Sequence, residues 1–250
     1  MIRPLLVRGM LVGLAAGLLA FAFAFVFGEP QVQHAIDFED YLARVHHEPA
    51  APELVSRGIQ RTLGLLTGTV VMGIALGGMF SLVFAWAYGR TGATSPRLTA
   101  AVLALGAYMT ITVIPFTKYP ANPPTIGNPA TLDRRTVLYC AMIAISLLAA
   151  LAAARIRREL LPRLGSWNAS LVAGAALFAV IAAAELILPA VHETPKGFPA
   201  DVLYRFRLAS LGINLTLWTT IGLGFGATVE RMLASAGDRR VGSPAAEVPG

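Results

Sequence analysis

The sequence predicts an all-α, polytopic integral membrane protein of about six transmembrane helices, arranged in outline as a three-hairpin internal repeat. Three observations carry this. Of 250 residues, 56% are hydrophobic and 14% charged, against about 25% charged in an ordinary soluble chain. The apolar residues gather in six runs of at least 19 residues, and crossing a hydrocarbon core of about 30 Å takes roughly 20 helical residues. None of the runs has the polar face, repeating every 3.6 residues, of a soluble bundle helix, and all are too long and too evenly apolar for barrel strands.

The expected transmembrane domain covers residues 1–234, with spans at 5–27, 62–88, 98–116, 136–154, 168–189 and 208–229. Arg3 and Arg8 before the first run imitate a signal peptide, but the run is long and its Phe-rich end at 21–28 offers no small-x-small cleavage site, so it reads as a retained helix. Residues 235–250 are rich in Gly, Pro, Ala and charge and lack an apolar period, which predicts a disordered cytoplasmic tail. Cys140 is the only cysteine, so no intramolecular disulfide can form, and its expected role is packing.

Basic residues in the connections set the expected orientation. With the N-terminus in the cytoplasm, 11 Lys and Arg fall inside and 9 outside, a small bias anchored by the cluster Arg155, Arg157, Arg158 and Arg163 in a short connection. Both termini are then cytoplasmic. The net charge of +6 reflects lipid headgroups and topology rather than nucleic acid. All four histidines and nine of the fourteen acids fall on the outer side, which also carries the long connections at 28–61, 117–135 and 190–207.

Each odd-numbered span leads into a Pro-containing outer segment (Gly28-Glu29-Pro30, 118–124 and 189–199), and each even one is entered through arginines: Arg57 and Arg61, Arg134 and Arg135, Arg205 and Arg207. This punctuation is the basis of the expected repeat. Glycines recur every fourth residue at Gly9, Gly13 and Gly17, at Gly64 and Gly68, at Gly73 and Gly77, and at Gly222 and Gly226. Such spacing lets helix backbones approach closely in lipid.

The chain has no phosphate-binding loop of the G-x-x-x-x-G-K-[ST] type and no H-E-x-x-H, G-x-S-x-G or paired C-x-x-C motif. Nothing in it argues for an enzyme. The candidate functional residues are instead carboxylates and imidazoles. Glu185 is the one ionisable residue well inside a predicted span; either it is buried in lipid at a cost of several kcal/mol unless protonated or paired, or the span ends near Ala184 and it sits at the wet interface. Glu29, His34, His46 and His47 lie in the first outer connection among further acids, and His192 and Glu193 in the third. Imidazole with carboxylate suits divalent transition metals, although no spacing here is diagnostic and a solvated acidic loop with surface histidines is the commoner reading of such a cluster. If 31–44 is helical, His34 and Phe38 share one face and Asp37, Asp40 and Tyr41 another.

The order of landmarks resembles the CbtA family of predicted cobalt transporter subunits. The resemblance rests on Leu5-Leu6-Val7-Arg8-Gly9-Met10, Phe27-Gly28-Glu29-Pro30-Gln31-Val32, Leu54-Val55-Ser56-Arg57, Lys118-Tyr119-Pro120-Ala121-Asn122-Pro123-Pro124, Arg134-Arg135-Thr136 through Tyr139, Leu164-Gly165-Ser166-Trp167-Asn168-Ala169 and Arg205-Phe206-Arg207-Leu208-Ala209-Ser210-Leu211-Gly212. It covers nearly the whole chain except the tail. It implies uptake of cobalt ion as substrate, with no permanently bound cofactor, alongside a small single-span CbtB-like subunit with a histidine-rich end, in association with cobalamin synthesis. It names no ligand set. Two other readings stay open beside it: a vitamin- or corrinoid-binding membrane component that needs a separate ATPase, and a scaffold subunit that does not itself transport.

Overall fold

The computed structural model describes residues 2–47, 55–90, 94–124, 126–127, 129–191, 193–195 and 197–241. Five long helices account for most of them: α1 (Ile2–His46), α2 (Arg57–Ala87), α3 (Pro96–Lys118), α4 (Leu132–Ile187) and α5 (Ala200–Val241). No strand occurs among the described residues. All five are long and apolar enough to cross a membrane, and the protein is a polytopic, all-α membrane protein.

The six predicted runs fall into five helices because two of them, 136–154 and 168–189, belong to α4. That helix is broken at Gly165, whose φ of 71° and ψ of 171° lie outside the helical region. A side chain at this φ would be strained, which glycine avoids. Arg157 Nε donates to Ser170 Oγ at 3.0 Å, yet residues thirteen apart on an unbroken helix would stand about 20 Å apart. The chain therefore turns back on itself at Gly165.

α1 differs from its expected span in the other direction. Apolar character stops near Phe27, but the helix continues to His46, and its 45 residues make roughly 67 Å at 1.5 Å per residue, about twice a hydrocarbon core. Pro30, expected in a loop, sits in this helix immediately after a π-helical turn at Ala24–Gly28, where the Glu29 N–H reaches Ala24 O. α3 repeats the device: a π turn at Tyr108–Val113, Ile114 N–H to Met109 O, then Pro115. The third expected hairpin lacks it; α4 stops at Ile187 with Leu188 extended before Pro189, as a residue preceding proline prefers. Helix α5 runs to Val241, so residues 235–241 of the expected tail are helical in backbone and 242–250 lie outside the described residues.

The chain forms two compact units. Unit 1 comprises 1–22, 58–106 and 215–250. Here the glycine spacing acts as expected for α1 and α2: a Cβ on Gly9 would come within 2.6 Å of Ser81 Cβ, one on Gly17 within 2.6 Å of Thr69 O, and one on Gly13 would overlap the Gly73 carbonyl. Gly222 and Gly226 bring α5 onto Ala104, Ala100 and Arg97 of α3. Lipid tails are as apolar as leucine, so such contact is stabilised by dispersion at short range rather than by expelling water. Phe84 and Phe225, both almost wholly buried, meet edge to face with centroids 5.1 Å apart, and Phe80 joins at 5.6 Å. Gly64 and Gly68 do not share this role: Gly64 faces only Ile59 O of its own helix at 3.6 Å, and nothing lies within 4 Å of Gly68.

Unit 2 comprises 23–57 and 107–214. Its connections are ordered by a small apolar core of Ala35, Ile126, Phe198 and Val202, flanked by Phe38 and Leu203, with Phe38 edge-on to Phe198 at 5.1 Å. Pro115 removes the donor that the Ile111 carbonyl would use in an α-helix and that the Thr110 carbonyl would use if the π series continued. Side chains of α4 replace it. Tyr139 Oη donates to Ile111 O at 3.3 Å and the buried Ser146 hydroxyl donates to Thr110 O. Cys140 is exposed on the same helix, not packed as expected.

Candidate functional site

Every candidate carboxylate and imidazole belongs to unit 2 by its position in the chain. Within it Glu29, Glu193 and Glu185 are each partly buried and partnered. The first turn after the π segment of α1 carries Glu29, and one turn further stands Gln33. Arg57, at the start of α2, bridges both: Nη2 donates to Glu29 Oε2 at 2.6 Å and Nε to Gln33 Oε1 at 3.3 Å. Gln33 in turn donates through Nε2 to Asp37 Oδ1 at 2.9 Å. The result is a line of polar groups along one edge of α1, with Glu29 at its more buried end.

A second carboxylate, Glu193, is held by the start of α4. Thr131 is the N-cap residue of this helix and Arg135 lies in its first turn. Thr131 Oγ1 donates to Glu193 Oε1 at 2.6 Å while Arg135 Nη1 lies 3.5 Å from Oε2. Gly127 packs directly over this guanidinium; a Cβ there would overlap it.

Glu185 lies in the last turn of α4 and is half-buried, two residues before the helix ends. Its carboxylate accepts from Thr117 Oγ1 at 2.6 Å, and the Lys118 ammonium donates to its backbone carbonyl. Lys118 thereby caps a carbonyl in the last turn of the helix, where a cation is favoured. Next to it, burial and the Glu185 carboxylate push the Tyr119 phenol above its ordinary range, against an opposing pull from Arg134. The phenol keeps its proton and donates to Pro189 O at 2.9 Å. Arg207 completes the set, donating to Asn122 Oδ1 at 3.1 Å and Ala121 O at 3.3 Å.

The histidines behave differently. His34 is exposed, and Ala35 and Phe38 rather than His34 enter the apolar core. His46 is exposed, and His47 ends α1 in the left-handed conformation, its N–H reaching Ala43 O and Arg44 O. His192 lies outside the described residues. Among the described residues, no three His, Cys, Asp or Glu side chains come together as a metal-binding group.

Sequence reasoning named Glu29, Glu185 and Glu193 but not what holds Glu185 and Glu193: Thr117, Thr131 and Arg135. Arginine entering an even-numbered span was the signal. Arg57 meets Glu29 directly and Asp37 through Gln33, whereas the carboxylate facing Arg135 is the distant Glu193 and not the nearby Asp133.

Residues 2–230 match the family model described as "Probable cobalt transporter subunit (CbtA)". The chain belongs to the CbtA family. The match spans all five helices and includes Glu29, Arg57, Thr117, Thr131, Arg135, Glu185 and Glu193, leaving out only the end of α5 and the tail. As a member of CbtA it is a membrane-embedded transporter subunit, which by that description works with other subunits. No curated protein and no solved structure matches the chain.

Proposed function

We propose that this CbtA subunit forms the membrane body of a cobalt uptake transporter, capturing the divalent ion on the outer face of a bacterial cell membrane and passing it between glycine-packed helices to a cytoplasm that holds both termini. The family match over residues 2–230 carries the reading. The geometry adds a mechanism. Glu29 and Glu193 each face an arginine, and both pairs are mostly shielded from solvent, with side-chain exposures of 14% and 17% for the two acids. A partly buried carboxylate without a counter-charge is costly. Arg57 and Arg135 would act as displaceable counter-ions: they face the acids between turnovers and swing away when a cation of higher charge arrives. The looser pair, Arg135 and Glu193, would exchange first.

Glu185, with His34, His46, His47 and His192, would supply further oxygen and imidazole ligands, a mixture suited to cobalt and its neighbours. A small single-span CbtB-like subunit with a histidine-rich end would complete the coordination. Binding must stay weak enough to release the ion inward. The step is transport of the ion as substrate, with no covalent chemistry.

The test is cobalt accumulation in cells lacking other cobalt importers, expressing the chain with and without the partner, with nickel and zinc as competitors. Saturable accumulation that requires this chain supports the proposal. Accumulation that persists with the partner alone would show that the six-run body only scaffolds.

A further inference from the structure

Within unit 1 a cavity of about 310 Å³ is lined by Arg8, Thr228, Arg231, Met232 and Ser235. The four residues from α5 stand at positions i, i+3, i+4 and i+7, so they form one face of that helix, and Arg8 reaches the cavity from α1. Two guanidinium groups from different helices thus line one space with no acid among its described lining residues.

Among the described residues no acid cancels this charge. Glu230, beside Arg231 in sequence, is taken by Arg97 at 2.5 Å. Arg8 gives one hydrogen bond to Pro4 O at 3.1 Å, which leaves most of the five N–H donors of its guanidinium uncommitted. The Thr228 and Ser235 hydroxyls donate to Phe225 O and Arg231 O of their own helix. Arginines at membrane boundaries commonly extend singly to headgroups. Here two line one shared pocket, beside the Met232 thioether.

Depth identifies the chemistry. Arg8 lies three residues past the start of the first apolar run, and Arg231 two residues past the end of the last, so both occupy the level where apolar helix gives way to headgroups. At that level the abundant oxyanion is phosphate, which guanidinium binds through paired, charge-assisted hydrogen bonds. We infer that this cavity is a binding site for a phosphate oxyanion, supplied by the headgroup of an anionic phospholipid whose acyl chains run back along α5 from Arg231 toward the bilayer core. Basic pockets between transmembrane helices bind lipid phosphates by the same physics. The inference is independent of the metal ligands discussed above.

The experiment uses the full-length protein in nanodiscs of phosphatidylcholine containing phosphatidylglycerol, with native mass spectrometry of the lipids that stay bound after release. Phosphatidylglycerol is expected to be retained over phosphatidylcholine, and the double variant Arg8→Gln/Arg231→Gln to lower that preference by about tenfold or more. Ser235→Glu, which keeps both arginines but places a carboxylate in the cavity, should lower it too, whereas Arg155→Gln/Arg158→Gln, an equal loss of charge elsewhere, should not. Circular dichroism checks that each variant remains helical. A parallel arm adds millimolar inorganic phosphate to protein in phosphatidylcholine alone and follows the unfolding temperature. Stabilisation by phosphate that the cavity variants abolish, without any lipid preference, would keep the oxyanion site and overturn the lipid as its source. Retention of phosphatidylglycerol that all variants share, or absence of both effects, overturns the site.

Discussion

The Ser146 hydroxyl of α4 donates to the Thr110 carbonyl of α3, the carbonyl whose next donor in the π series would be the N–H that Pro115 lacks. A proline within a membrane helix is tolerable only if something else satisfies the groups it strands. Ser146→Ala should therefore cost about 1 kcal/mol, the usual scale for an interhelical hydrogen bond in a membrane. Tyr139→Phe, which strands Ile111 O, should cost a similar amount. Restoring the N–H with Pro115→Ala should shrink the penalty of Ser146→Ala in the double variant, as read from unfolding in mixed micelles. Equal penalties in both backgrounds would show that the serine is not compensating for the proline.

Gly13 and Gly73 set the distance between α1 and α2. Gly13→Leu should force the backbones apart and cost about 1–3 kcal/mol, the range for overpacking. Gly68→Ala meets open space and should change stability by about 1 kcal/mol or less, in the favourable direction if helix propensity dominates. Comparison of unfolding temperatures and of monodisperse yield separates the two.

Removing one member of the pair formed by Arg57 and Glu29 leaves a partly buried charge alone. Glu29→Gln or Arg57→Gln should each destabilise by about 1–3 kcal/mol, and the double variant by less than the sum. If Glu29 also captures cobalt, the double variant recovers stability without recovering accumulation. Recovery of both would confine Glu29 to a structural role.

Arg135→Gln distinguishes a counter-ion from a clamp. Freed of the arginine, Glu193 should bind cobalt more tightly, lowering the half-saturating concentration by about two- to fivefold, the scale of a weak ion pair. Glu193→Gln should raise it. A rise with both variants would mean that Arg135 only orders the Glu193 segment.

The apolar runs were legible because a bilayer imposes length and composition on whatever crosses it, and each predicted run lies in a helix with the exception of a residue or two at its end. Helix continuity was not legible in the same way. Backbone hydrogen bonding does not require apolar side chains, so α1 passes Phe27 and Pro30 without stopping, and a single left-handed glycine suffices to reverse α4. The expected repeat rested on Pro and Arg punctuation; α1 and α3 share a π turn followed by proline, a likeness of backbone that composition cannot register. Glu193 could be named from its residue type, but its guanidinium partner comes from another part of the chain, 58 residues earlier, and only the folded connections bring them together.

The reversal at Gly165 also bears on how the protein would be dissected. A protease needs several residues of extended chain to bind before it can cut, and such stretches are found at exposed loop tips. Two helical arms joined at one glycine present no such stretch. Limited digestion from the side bearing Arg155, Arg157 and Arg158 should leave α4 whole, so its two arms would migrate together as one fragment even after every longer connection has been cleaved.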